Sequence, residues 1–526
     1  MKQIFEKKKL WEYGAMLLAA LTLFLVLLFF MVFPDNLMHS DMAAEVILSK
    51  LLAKEGRLIS PNWFYSTEIR IIYTQLIMTP LFMIFSDYGT VKLISVIVLD
   101  LLLAVVFLFT AKECELKGAK KWLALSLLLA PLSNEYLDMM FLGCFYTCQV
   151  ICTYLVLKFF LKDRPEKKGI MWTRSAVLTL AALILGTSGL RYLASLYLPL
   201  IGAVALSYGL DKKEEQHKEL SDKLILSLLM CLGAGIGFLI NKFYLAGHYA
   251  FDNTSAVAFV SPSEVSARFL AFPRMILEFF GYRVVAAVTP MGMVNVIKFA
   301  FVLFLIYVII YLTKHRYEVL NKTQRLLLYY FYGCFFLNWY MLMFTSVLLQ
   351  YRYWIPVYVT GVFLAGIYLQ NAREKTRFFV PAMAALSVLV VLSSLYGELW
   401  QDTKYNDCEK RYGYMAFLEE SDYTFGYATF WNSSVTEYLS DGQIQVAHMD
   451  IDTQPTMPYE WLCPKYYYEE GYYEGKTFML LARSEELAMF NGEISIMQDG
   501  VKVYEDEYYV IYEGEGMYLF SSGGEE

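Results

Sequence analysis

Eleven long apolar stretches dominate this sequence, and they constrain its fold more than any other feature. Several approach the roughly 20 residues that an α-helix needs to cross a bilayer. With 57% hydrophobic and only 18% charged residues, the composition excludes an ordinary soluble globular protein. The sequence predicts a polytopic α-helical membrane protein with about eleven spans, at residues 11–33, 91–110, 122–132, 141–160, 176–186, 192–206, 224–245, 294–312, 326–346, 354–369 and 378–395.

Clusters of lysine and arginine between these stretches indicate which loops face the cytoplasm. Lys7, Lys8 and Lys9 precede the first span, so we expect a cytoplasmic N-terminus in a multi-pass protein of the plasma membrane. The apolar stretch 69–85 has two interpretations. If it spans, the lysines within 112–121 fall outside the cell; if it lies in the outer interface, they fall inside, which the charge rule favours. The loop after the first span and the C-terminal domain are then extracytoplasmic.

The last part of the chain differs in charge and pattern from the rest. Residues 398–526 hold 26 of the 51 acidic but only 7 of the 44 basic residues, which argues against nucleic acid as a partner. Short alternating segments at 443–446, 494–497 and 508–512 predict strands, and 434–439 and 485–490 predict helices. We therefore expect residues 1–397 to form a transmembrane bundle with an outer loop at 34–90, and residues 398–526 to form an extracytoplasmic α+β domain.

A pair of acidic residues, Asp41 and Glu45, follows the first span. Ser40 is a suitable N-cap, and a spacing of four places both carboxylates on one face of a helix that Gly56 would end. The apolar residues of that helix suggest that it rests in the membrane interface: Val46, Ile47, Leu51 and Leu52. Two carboxylates at the mouth of a bundle can act as a general base or hold a divalent metal.

Further polar and charged side chains fall at the predicted outer ends of the spans. A charge at membrane depth is costly, so it usually faces a cavity or a partner. Solvated loop charges and interfacial snorkelling are the alternative for any single one. Arg191 and Arg352 each lie beside a tyrosine at a helix mouth, Tyr353 in the second case, and can bind a phosphate. The remaining candidates for the cavity and the acceptor are His39, Glu68, Arg70, Asn134, Glu135 and Asp138.

Two cysteines, Cys408 and Cys463, belong to the predicted outer domain. Oxidation is permitted outside the cell, so a disulfide between them is one interpretation. Two unpaired buried thiols are the other.

The first outer loop resembles that of the GT-C membrane glycosyltransferases. It is most similar to the dolichyl-phosphate-mannose protein mannosyltransferase and aminoarabinose transferase branch (glycosyltransferase family 39-like). The similarity rests on three segments: the outer loop SDMAAEVILSKLLAKEGRLISP, the RYWIP segment at 352–356, and GYATFWNSSVTEYLSDGQIQV from Gly426. Two positions depart from the family pattern: Met42 follows Asp41 where the family often has Glu, and Glu68-Ile69-Arg70 occupies the region of a Pro-Pro-Leu element.

This resemblance implies a glycosyltransferase that acts on the outer face of the plasma membrane. The donor would be a polyprenyl-phosphate-linked sugar, and the acceptor a cell-envelope glycopolymer, lipid or protein. Asp41 would take the acceptor proton, with Glu45 beside it, and Arg191 and Arg352 would stabilise the lipid phosphate. No cofactor is implied, although a divalent metal at Asp41 and Glu45 stays open. A transporter or flippase of lipid-linked saccharides and an inactive GT-C-like scaffold are the alternative functions.

Overall fold

The computed structural model divides the chain into two compact units. The first, which we call the helical unit, comprises Met1–Val32, Val96–Asn241 and Ala256–Lys404. The second, the mixed unit, comprises Phe33–Ser95, Lys242–Ser255 and Tyr405–Glu526, so it groups the loop after the first span with the C-terminal tail. The structure describes residues 2–35, 38–162, 168–210, 214–250, 257–376, 378–400, 409–452, 456–490, 500–516 and 519. Cys408 and the predicted strand 494–497 lie outside these residues.

Long apolar helices make up the helical unit. In the part of the chain that the structure describes, four π-helical segments interrupt or extend them, at Asp138–Leu142, Leu193–Tyr197, Ile240–Leu245 and Leu395–Trp400. The helices of this unit are α1 (Lys2–Val32), α4 (Tyr88–Glu113, whose first residues belong to the mixed unit), α5 (Gly118–Leu129), α6 (Asn134–Leu137), α7 (Thr147–Leu161), α8 (Lys168–Gly186), α9 (Leu198–Leu210), α10 (Glu214–Leu239), α11 (Pro262–Phe279), α12 (Pro290–Lys314), α13 (Arg316–Val319), α14 (Lys322–Phe344), α15 (Ile355–Asn371) and α16 (Phe379–Ser394).

Nine helices among the described residues are long and apolar enough to cross a membrane, and a tenth span forms if the bent pair Asn134–Leu142 and Thr147–Leu161 counts as one. The two halves of that pair meet at 72°. The polytopic helical fold expected from the sequence is confirmed. The segment predicted as a further span, 122–132, is the 12-residue α5. At 1.5 Å per residue such a helix rises about 18 Å, less than the hydrocarbon core.

Within its described residues, the mixed unit combines five α-helices with eight strands. Its α3 holds only eight residues, which is too short to span, so the interfacial interpretation of 69–85 fits the structure better than the spanning one. The elements are α2 (Ser40–Glu55), α3 (Gln75–Phe82), α17 (Glu409–Glu420), α18 (Phe430–Leu439), α19 (Arg483–Phe490), β1 (Trp63–Phe64), β2 (Phe425–Thr429), β3 (Gln445–Asp450), β4 (Met457–Pro458), β5 (Cys463–Pro464), β6 (Lys476–Ala482), β7 (Val501–Glu505) and β8 (Tyr509–Glu515).

A six-stranded sheet in the order β4-β3-β2-β6-β8-β7 is the centre of the mixed unit. Strand β2 pairs in parallel with β3 on one side and with β6 on the other, whereas β4, β8 and β7 add antiparallel pairs. All five residues of β2 are buried, because both faces of the sheet are covered. Phe425 and Tyr427 belong to the core on one face, and Ala428 to the core on the other.

A two-stranded ladder joins the two ends of the mixed unit's sequence. Trp63 pairs with Pro464 and Phe64 with Cys463 in the antiparallel pair of β1 and β5. Phe64 also belongs to the hydrophobic core of the large sheet. Residues from the loop after the first span are therefore part of the same folded unit as the tail.

Candidate active site

Helix α2, which carries the acidic pair, is a buried element rather than a helix resting in the membrane interface. Val46, Ile47, Leu51 and Leu52 are all buried, and α2 packs against α3 and α18 within the mixed unit. The interfacial interpretation of this helix was therefore wrong, since its apolar side chains are covered by protein.

The ends of α2 agree only in part with the sequence. Gly56 ends the helix in the left-handed conformation (φ 65°), as expected. The N-cap is His39 in extended conformation without a side-chain cap hydrogen bond, so the assignment of Ser40 as the cap was wrong. Ser40 already lies inside the helix and is buried.

Asp41 and Glu45 have different surroundings although they lie on one helix. The Asp41 side chain is 40% exposed, and its Oδ2 lies 4.0 Å from Nδ1 of His39. Glu45 is buried and its Oε2 accepts a hydrogen bond from Nε2 of Gln75 on α3. Asp41 is thus accessible to a substrate, and Glu45 connects the helix to its neighbour.

Glu68 and Arg70 are close to Glu45 in the same unit. The Nε of Arg70 lies 3.4 Å from Oε1 of Glu68, and an Nη atom of Arg70 donates to the hydroxyl of Tyr73 at 3.2 Å. The charges of Glu68 and Glu45 both act on this guanidinium. Of the residues predicted from the sequence, the mixed unit contains His39, Asp41, Glu45, Glu68 and Arg70, and it brings Glu45, Glu68 and Arg70 close together.

The other predicted residues surround the bend between α6 and α7 in the helical unit. Asn134 accepts a hydrogen bond from Arg283 at 2.8 Å. Glu135 interacts with the charge and the backbone amide of Arg352. Arg352 belongs to the 3₁₀ turn Tyr351–Trp354. The guanidinium of Arg191 lies over the ring of Tyr146, with 5.2 Å between its central carbon and the ring centroid.

Tyr353 and Asp138 complete this second group. The guanidinium carbon of Arg352 lies 6.0 Å from the ring centroid of Tyr353. Asp138 begins the π-helical segment, and a Cβ added at Gly143 would lie 2.9 Å from its Oδ1. Both arginines that were predicted to bind phosphate therefore lie next to residues of the α6–α7 region, and each is beside an aromatic ring.

Lys298 and Glu398 form a buried ion pair in the helical unit that was not predicted from the sequence. Their side chains are 1% and 0% exposed, and Nζ of Lys298 donates to Oε1 of Glu398 at 2.8 Å. The other carboxylate oxygen of Glu398 accepts from Arg283. Lys298 also donates to the carbonyl of Leu132 at 2.8 Å. The signal was a lysine inside an apolar span, which usually has a buried partner.

An apolar cavity of about 340 Å³ lies among α11, α12, α14 and α15 of the helical unit. Its walls are almost entirely aromatic and aliphatic side chains, including Phe272, Phe331, Phe335 and Trp354. Trp354 ends the same 3₁₀ turn that carries Arg352. A cationic side chain and the wall of an apolar cavity therefore share one turn.

A buried carboxylate, Glu437, lies on α18, the helix that packs against α2. Burial raises its pKa to about 7, against the hydrogen bonds from Tyr467 and the Val446 amide and the charge of Lys50, which lower it. The Tyr467 hydroxyl donates to the carboxylate at 2.9 Å. His448, also buried, has its pKa lowered to about 4 by burial, against a hydrogen bond to the carbonyl of Trp461.

These two groups give the mixed unit opposite pH dependences. Between pH 4.5 and 7, Glu437 is protonated in the folded but ionised in the unfolded chain, so its contribution to stability falls as pH rises. Between pH 4 and 6.5, His448 is neutral in the folded but charged in the unfolded chain, so its contribution rises with pH. Each group changes the free energy of unfolding by up to about 3 kcal/mol across its pH range. In the wild-type protein the two changes have opposite signs and nearly cancel.

Removing either group should expose the dependence of the other. We expect Glu437→Gln to make the unfolding free energy rise from pH 4.5 to 6.5, and His448→Asn to make it fall over the same range. Urea titrations of the detergent-solubilised protein, followed by tryptophan fluorescence, measure both slopes. Parallel pH profiles for the two variants would contradict the assignment.

Within the residues that the structure describes, no three His, Cys, Asp or Glu side chains lie close enough together to hold a metal ion. The thiol of Cys463 is buried and lies 3.6 Å from the hydroxyl of Tyr468. Because Cys408 is not among the described residues, the disulfide stays a prediction.

Comparison with solved structures identifies the fold. The structure of ArnT from Cupriavidus metallidurans bound to undecaprenyl phosphate matches with a TM-score of 0.57 and 12% sequence identity, over 94% of this chain and 97% of that chain. The apo structure of the same protein matches with a TM-score of 0.58 at the same identity and coverage. No family model matches the chain, and no curated protein matches it. At this identity the likeness concerns the fold, and it confirms the resemblance stated from the sequence: the chain is a multi-pass membrane protein with the GT-C-like fold of the aminoarabinose transferase ArnT.

Proposed function

We propose that this protein transfers a sugar from a polyprenyl-phosphate-linked donor to an acceptor of the cell envelope. The observation that carries the proposal is the fold shared with ArnT over 94% of the chain, one structure of which holds undecaprenyl phosphate. The basic loops favour transfer on the outer face of the plasma membrane, with the tail extracytoplasmic.

In the transfer, the acceptor oxygen forms a bond to the anomeric carbon of the sugar while the bond from that carbon to the phosphate oxygen breaks. Asp41 takes the proton of the acceptor hydroxyl, and its 40% exposed side chain leaves room for this contact. The electron pair of the broken bond stays on the phosphate, so the leaving polyprenyl phosphate gains negative charge. Fixed cations stabilise that charge as it develops.

The donor is bound through its two chemically different ends. Arg352 and Arg191 bind the phosphate, because a guanidinium can form a fork of hydrogen bonds to phosphate oxygens and each of these two is held beside an aromatic ring. The isoprenoid tail enters the apolar cavity whose wall includes Trp354, two residues after Arg352. The head and tail of one lipid would thus be bound on either side of a single 3₁₀ turn.

Our prediction for the donor lipid is that Arg352→Ala and Arg191→Ala each weaken its binding by about 10- to 150-fold. A hydrogen bond to a charged group is worth about 1.5–3 kcal/mol, which corresponds to that range. Native mass spectrometry of the purified protein with undecaprenyl phosphate measures the affinities. Arg274→Ala is the matched control, since this arginine is 76% exposed and paired with Glu278.

The control should bind the lipid as the wild type does, and all three variants should stay folded, with melting temperatures within a few degrees of the wild type. Full affinity in both Arg352→Ala and Arg191→Ala would remove the phosphate site from the proposal. A flippase with the same lipid specificity would also bind undecaprenyl phosphate, and it is separated from a transferase by the dependence of transfer on Asp41.

A further inference from the structure

The parallel strands of the mixed unit form a topological switch point, the position at which open α/β sheets bind ligands. Strand β2 leads through α18 to β3 on one side, and the chain returns as β6 on the other side. The connections from neighbouring strands thus leave the sheet in opposite directions at the carboxyl end of β2, at Thr429. Ligands of open α/β sheets bind at this type of switch point.

An exposed tryptophan lies at this position. Trp431, the second residue of α18, is 59% exposed, although most large aromatic side chains of the sheet are buried. Its ring contacts that of Phe430 at a centroid distance of 5.0 Å, and Phe430 in turn contacts the rings of His448 and Tyr459. The ring of Trp431 is therefore held in place by its contact with Phe430, and it faces outward.

A network of polar side chains fixes the same edge. A carboxylate oxygen of Glu485, at the start of α19, accepts the hydroxyl of Thr429 at 2.6 Å, and the amide of Asn432 lies 3.3 Å from the other oxygen. That second oxygen also accepts the Ala482 amide at 2.7 Å. Glu485 thus links the ends of β2 and β6 to the first turns of α18 and α19.

The charge at this edge selects among ligands. Glu485 places a carboxylate at the end of β2, and Glu460, which is exposed and follows Tyr459 of the aromatic cluster in sequence, adds a second negative charge. These carboxylates disfavour phosphate and acidic polymers. A flat aromatic face next to hydrogen-bonding groups suits the C–H face and the hydroxyl groups of a sugar ring.

We propose that this edge, with Trp431 as the platform, binds a neutral or amino-sugar segment of the acceptor glycan. The choice of a glycan rests on the proposed function, and it narrows the acceptor to a glycopolymer. Glu485 is a positioning residue, because it holds the first turn of α18 on which Trp431 stands. Binding here is separate from the transfer chemistry at Asp41.

Three hexasaccharides of different charge test the inference: neutral cellohexaose, the cationic glucosamine hexamer and anionic hexagalacturonate. Saturation-transfer NMR on full-length protein in phosphatidylcholine nanodiscs should detect the first two and not the third. Trp431→Ala should lower the affinity at least tenfold, whereas Trp431→Phe should keep part of it. Tyr412→Ala is the matched control, since Tyr412 is an exposed aromatic residue of α17 in the same unit, and it should bind as the wild type does.

Titrations of Asp41 and Glu485 variants make each result interpretable. The same titrations on Asp41→Asn protein should be unchanged, so a failure of the proposed transfer would leave this binding intact. Glu485→Ala should weaken binding and Glu485→Gln should restore much of it. Absent saturation transfer with all three sugars, or unchanged affinity in Trp431→Ala, would overturn the inference. Quenching of Trp431 by brominated lipids would also overturn it, because the ring would then lie in the membrane.

Discussion

Replacing Asp41 by Asn is expected to lower sugar transfer by about 10²–10⁴-fold, the contribution of a positioned general base. Asn keeps the size of the side chain but cannot take the acceptor proton. The protein should stay folded, because Asp41 is half exposed and the N-cap of α2 is the neighbouring His39. Losing the interaction of its charge with the helix dipole costs only about 0.3–1 kcal/mol.

Mass spectrometry of envelope glycans measures this effect in cells whose only copy carries the substitution. These cells should lack the product glycan and accumulate the lipid-linked sugar, as cells without the protein do. Glu409→Gln is the matched control, since it removes a first-turn carboxylate from α17 in the same unit. Glu45→Gln should have a milder effect, because the amide keeps the contact with Gln75. Wild-type product levels in Asp41→Asn cells would leave the enzyme without its base.

The largest effect on stability is expected at the buried pair of Lys298 and Glu398. Glu398→Leu removes the carboxylate from the buried Lys298 ammonium, which costs about 3–5 kcal/mol. Lys298→Met should cost less, because Glu398 keeps its ion pair with Arg283. The double variant should lose much less than the two single losses together, because no lone charge stays buried.

Thermal unfolding of the detergent-solubilised variants measures these differences as a double-mutant cycle. The exposed pair of Arg274 and Glu278 supplies the control: Arg274→Ala should cost about 1 kcal/mol or less. Strictly additive losses in the double variant would mean that the two buried side chains do not stabilise each other.

The packing around this ion pair can also be tested at Gly281. Its φ is +79°, and an added Cβ would lie 2.1 Å from the carbonyl of Leu132.

Features that depend on local pattern could be predicted from the sequence. The long spans, the end of α2 at Gly56 and the helices α18 and α19 follow from apolar length, turn residues and periodicity. Strands β3 and β8 were also predicted, because each overlaps a segment in which apolar and polar residues alternate. The central strand β2 was not, since a strand buried on both faces shows no alternation.

Features that depend on distant partners could not be predicted. The burial of α2 requires α18, which follows nearly 400 residues later, so its apolar side chains were interpreted as facing the membrane. Lys298 and Glu398 are 100 residues apart, and neither position alone indicates its partner. The candidate residues around the bend and on α2 could be named from local pattern. The contact between Glu45 and Gln75 could not be predicted.

The ladder of β1 and β5 affects how this protein is made. Phe64 meets its partner Cys463 only after about 400 further residues have left the ribosome. At 5–20 residues per second, the segment that carries Asp41 waits about 20–80 seconds before its unit can close. During that interval its apolar side chains need a holding factor or the bilayer surface. A chain that stops before residue 463 has all of its apparent spans inserted and still lacks the β1–β5 ladder of the mixed unit.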